Sequence, residues 1–73
     1  MKISKKTREQ AALICAVAAS SYYCRDLDTA RRHVGASRLA CDIAFAALLE
    51  VLCYTHIQAA AEAEALLRTG WSP

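Results

Sequence analysis

The soft donors of this chain are four thiols and two imidazoles: Cys15, Cys24, Cys41, Cys53, His33 and His56. These residue types can ligate a metal, form disulfides or act as nucleophiles. Their spacing favours none of these. There is no CxxC pair to seed a metal site. Cys53 and His56 stand three apart, and Cys24 and His33 lie in or near one connection. A zinc set from those four would need the fold to join two distant pairs. The simpler expectation is reduced, buried cysteine acting as a small apolar side chain. His56 falls on the same helical side as Ala59, Ala60, Ala63 and Leu67, which reads as packing. No Ser–His–Asp arrangement, paired-carboxylate motif or Gly-rich phosphate loop is visible. A chain of 73 residues is also too short to enclose a sizeable pocket. The expectation is a protein that is not an enzyme, with no catalytic residue, no cofactor and no metal.

The elements that would position these residues are helices. The chain has two Gly and one Pro, the Pro being the last residue, and 56% of it is hydrophobic. Alanine, the best helix former, is abundant, and no strand-like alternation appears. Residues 1–73 are read as a single domain. It is all-α, a small helical bundle of three main helices plus a short connecting helix. A core this small is marginal alone, so such chains lean on disulfides, metals, tight helix packing or oligomerisation.

Helix punctuation is dense. Thr7-Arg8-Glu9-Gln10 matches a capping box, with Ser4 as a competitor that adds one turn. The first helix runs to about Ser20, with Gln10, Leu13, Ile14, Val17 and Ser21 on one side and Ala11 and Ala18 beside them. Asp26 and Asp28 are candidate caps for a short helix over Thr29–Val34, and Gly35 is placed to stop it. Ser37 can cap the third helix. Thr55-His56-Ile57-Gln58 is a second capping box, opening a last helix that ends at Gly70, with Trp71 folding back near Leu66. Glu64 and Arg68 form an i,i+4 pair in the favourable order.

The third helix should cover Leu39–Tyr54, which is apolar on nearly every side, with Asp42 and Glu50 its only charges. Cys41, Phe45, Leu48 and Leu52 fall on one face at packed-helix spacing and account for a core. A second apolar stripe, Leu39, Ile43, Ala46 and Cys53, is left over. A helix that is apolar all round must be buried all round. A bilayer needs about 20 apolar residues and penalises both acids, so no membrane span is expected. The expected solution is a homodimer with Leu39, Ile43, Ala46 and Cys53 at its interface.

Charge is divided along the chain. Residues 1–38 carry eight cations against three acids, and residues 39–73 one against four. Arg25, Arg31, Arg32 and Arg38 form a candidate basic patch, with Tyr22 and Tyr23 as candidate anchors for a protein partner. Ala30–Ala44 offers an alternative: a helix-turn-helix with Ser37 capping a recognition helix and Arg31, Arg32 and Arg38 on phosphates. Against DNA binding, that helix opens Arg-Leu-Ala-Cys-Asp-Ile and has few side chains that read bases. A secretory leader is not expected, because Thr7–Gln10 interrupts the pattern between Lys2, Lys5, Lys6 and the apolar run.

KTREQAALICAVAAS at Lys6–Ser20, GAS at 35–37 and AEAEALLRTGWSP at Ala61–Pro73 together resemble small uncharacterised helical proteins of bacteriophages and prophages. The resemblance covers about half the chain. It implies a phage gene product in the cytoplasm of a bacterial host. Small phage proteins often bind host proteins, so it implies a host protein as partner. It carries no activity and no catalytic residue.

Overall fold

A computed structural model describes residues 3–20, 26–51 and 56–71 and, at His56 and Ile57, the backbone alone. Among the described residues four helices follow one another: α1 (Lys5–Ser20), α2 (Leu27–Val34), α3 (Arg38–Glu50) and α4 (His56–Arg68). Among the described residues there is no strand. The chain is all-α, and α2 is the short helix.

Ser4, one turn before the Thr7 pattern, caps α1. Its Oγ accepts the Thr7 backbone N–H at 3.1 Å, and its hydroxyl donates to Thr7 Oγ1 at 2.8 Å. Asp26 caps α2, accepting the Thr29 backbone N–H at 2.8 Å, so α2 opens at Leu27 and not at Thr29. Gly35 ends it in the left-handed region, φ 76°. The Gly35 N–H donates to Arg32 O at 3.2 Å and the Ala36 N–H to Arg31 O at 3.0 Å, the paired bonds of a Schellman stop. Ser37 then caps α3 by accepting from the Ala40 N–H at 3.2 Å. Gly70, φ 91°, repeats the stop for α4, where the Trp71 N–H donates to Leu66 O at 3.1 Å and Trp71 packs against the core. The Thr55 cap lies outside the described residues.

The long apolar segment is not one helix. α3 leaves helical geometry at Val51, whose N–H donates to Leu48 O at 3.1 Å in a tightened last turn. Residues 52–55 lie outside the described residues.

α1 packs on each of the other helices, most extensively on α4, and α2 touches α1 and α3 but not α4. Small side chains make the core. Among the described residues, eleven of the eighteen buried hydrophobic ones are alanine, including Ala11, Ala18, Ala40, Ala44, Ala47, Ala60 and Ala63. Alanine rows bring helix axes to the close end of the usual 8–10 Å range. They leave little room between helices for large side chains.

That choice overturns one expected seam. The spacing of Cys41, Phe45 and Leu48 predicts a core position for Phe45, yet Phe45 is 54% exposed, while its neighbour Ala44 is fully buried. The side of α3 that meets the other helices is Ala40, Cys41, Ile43, Ala44, Ala47 and Leu48. α1 follows the same rule: Leu13 stands outside, and Ala11, Ala12, Ile14, Cys15 and Ala18 go in.

Candidate interaction surface

Burying the alanine side of α3 turns its large apolar residues outward. Leu39 is 50% exposed, Phe45 54% and Leu49 52%. Between them runs the i,i+4 row Arg38, Asp42, Ala46, Glu50, in which all but the half-buried Ala46 are exposed. The accessible surface of the whole chain is 4577 Å². A folded monomer of 7.9 kDa is expected to show about 4400 Å². Among the described residues, three of the four exposed large apolar side chains belong to this helix.

Of the residues expected at a dimer interface, Leu39 and Ala46 share the outer side of α3 and Ile43 does not. Leu39 is on the outer face, Ala46 is half-buried beside it, and Ile43 is only 4% exposed, packed into the chain's own core. Cys53 lies outside the described residues. Phe45 and Leu49 are the members that sequence reasoning missed. For Leu49 a signal was present in the 3-4-3 spacing of Leu39, Asp42, Ala46 and Leu49.

The arginines are more tied down than a free basic patch. Asp28 takes Arg31 Nε at 3.2 Å, an Arg32 terminal nitrogen at 2.8 Å and an Arg38 terminal nitrogen at 3.7 Å. Arg38 also approaches Asp42 at 3.7 Å. Asp28 lies three and four residues before Arg31 and Arg32, so helical geometry makes the hub. Arg31 is half-buried and reaches Ala36 O at 3.4 Å, at the turn between α2 and α3. Arg32 and Arg38 point into solvent, where such pairs contribute little. Arg25, Tyr22 and Tyr23 lie outside the described residues.

Cys15 and Cys41 are free and buried. Burial pushes the Cys15 thiol up to about 12, with Glu64 and Cys41 adding to the rise. Burial also raises Cys41, outweighing the opposing pull of Arg38. Both stay protonated at neutral pH and are poor nucleophiles. His33 is exposed, and the other expected zinc donors, Cys24, Cys53 and the His56 side chain, lie outside the described residues. Among the described residues, no three His, Cys, Asp or Glu side chains come together as a metal set.

A shallow cleft of about 160 Å³ opens between the ends of α1 and α4, lined by Lys5, Arg8, Glu9, Ala12, Leu67 and Arg68. Arg68 is held by Glu64 at 2.8 Å, the pair expected from the sequence. Among the described residues, no helix is long and apolar enough to cross a membrane. Comparison with family models, curated proteins and solved structures finds no match to this chain.

Proposed function

We propose that this chain is a small accessory protein of the phage type that acts by binding a macromolecular partner, with the outer face of α3 as its docking surface. It works as a helical homodimer in the cytoplasm of a bacterial host, and a host protein is the further partner the resemblance implies. The observation that carries this reading is the triad Leu39, Phe45 and Leu49, three of the four large apolar side chains that stand exposed among the described residues, all on one helix. An apolar patch on the order of 300 Å² is of the size that tends to be functional on small soluble proteins.

The helix-turn-helix reading finds two helices and a short turn at Gly35–Ser37. The exposed side of α3, however, offers Leu39, Asp42, Phe45, Leu49 and Glu50 with Arg38 as its one cation. Acids and apolar side chains facing a phosphate backbone weaken binding. A protein surface is therefore the better-supported partner than nucleic acid.

The test is affinity capture from a bacterial lysate with the native chain and with Phe45→Ser, whose helical circular dichroism is first matched to the native chain. A protein retained by the native chain and lost with Phe45→Ser supports the α3 surface. Equal retention by both excludes it.

A further inference from the structure

We infer that the outer face of α3 is built to receive a second copy of itself, antiparallel, about a two-fold axis that crosses this face midway between Asp42 and Ala46. This inference rests on the reading of that face as a docking surface, and it names the first occupant. The evidence is the charge order of the row Arg38, Asp42, Ala46, Glu50, which runs positive, negative, small, negative. Turned end over end and laid beside itself, the row places Arg38 opposite Glu50 of the copy and Asp42 opposite the small Ala46, twice each. Every cation then meets an acid, and no two acids stand directly opposed. A parallel pairing sets Arg38 against Arg38 and Glu50 against Glu50.

The apolar residues obey the same symmetry. Leu39 and Leu49 are as far from position 44 as each other, so Leu39 of one chain comes level with Leu49 of the next. Phe45 lies next to the axis and meets its own copy there. Rows spaced by four, packed side by side, give the commonest helix crossing, about −50°. That crossing carries the row ends, Arg38 and Glu50, toward each other across the contact. Both ends are solvent-exposed, so neither must leave the core to pair. An isologous contact of this kind closes as a dimer and cannot propagate into fibres. The patch is small beside a standard interface, so the dimer is a weak one, of micromolar affinity or looser.

The experiment is sedimentation equilibrium of the full chain from micromolar to millimolar concentration, at low ionic strength, where such pairs are least screened. The proteins are the native chain, Arg38→Glu, Glu50→Arg, the double swap and Phe45→Asp. Each single swap sets two like-charged pairs across the axis and should weaken association about tenfold. The double swap should restore the native constant. Arg38 and Glu50 are about 18 Å apart along one helix, so rescue can arise only between chains. Arg38→Glu also puts an acid beside Asp28 and Asp42. Arg38→Gln, which does not, is run with it, and circular dichroism confirms that each variant is helical.

A native chain that stays monomeric to millimolar concentration overturns the second-copy inference, and the lysate capture then judges the docking surface by itself. A dimer indifferent to the swaps but broken by Phe45→Asp overturns the antiparallel register and leaves the face standing. A dimer that survives Phe45→Asp overturns both.

Discussion

The Cys15 thiol lies 3.9 Å from the Ala44 carbonyl oxygen, a buried contact between α1 and α3. A side chain as small as cysteine fills the space there because Ala44 faces it. The next residue, Phe45, points to solvent. The whole molecule follows from this choice. Helices that pack through alanine come close together, and their larger apolar residues are left on the outside.

Ala44→Leu should therefore be costly. It adds three heavy atoms where the α1–α3 contact is already closed, and overpacking of this kind destabilises by about 1–3 kcal/mol. Phe45→Ser, on the exposed side, should change stability by no more than about 0.5 kcal/mol. Urea unfolding midpoints of the two variants measure the contrast. A larger loss from Phe45→Ser than from Ala44→Leu would mean that the assignment of the two faces is reversed.

The fold was legible where punctuation is chemical. Asp26, Gly35, Ser37 and Gly70 all do what their side chains, or the lack of one, dictate. Ser4 won over Thr7 because it starts the helix a turn earlier and still bonds the Thr7 N–H. The facing of the helices was not legible in the same way. Weighting residues by apolar size placed Phe45 and Leu13 inside, and packing density reversed both. The spacing of Leu39 and Ile43 puts both on one stripe, but the side of α3 that carries Ala40 and Ala47 turns inward and takes Ile43 into the core. Asp28 was read as a possible cap. Its position before Arg31 and Arg32 makes it their common acid.

Acid should act on the molecule through Asp26. Its carboxylate accepts the backbone N–H of Thr29 and then its hydroxyl, which holds it below the ordinary value of 3.8. The stability it supplies is complete above 3.8 and disappears as pH falls through the lower folded-state value. Asp26→Asn keeps a capping oxygen without the titration. Thermal melts should show the native chain losing more than Asp26→Asn between neutral pH and pH values below 3.8. Parallel losses would deny Asp26 this role.

Alkali should act through Cys15. The folded thiol is raised from 9.0 to about 12, so the unfolded chain releases its proton first. The contribution is intact below pH 9.0 and falls as pH rises toward 12. Cys15→Ala should flatten the decline above pH 9 in denaturant titrations. In neutral buffer, a thiol reagent should modify Cys15 and Cys41 only after denaturant is added. Prompt modification of either in the native chain would contradict their burial.

Duplex DNA separates the two partner classes. With Asp28 and Asp42 drawing on Arg31, Arg32 and Arg38, the native chain should not shift random duplex even at low salt. A shift that weakens steeply with added salt would favour the helix-turn-helix reading.

The central claim is that Leu39, Phe45 and Leu49 form a binding face and are not merely tolerated exposure. Sedimentation of the native chain beside the triple variant Leu39→Ser/Phe45→Ser/Leu49→Ser tests it most directly. The native chain should reach twice its 7.9 kDa mass as concentration rises, and the variant, still helical, should remain at 7.9 kDa. A variant that reaches the doubled mass along with the native chain would contradict the claim.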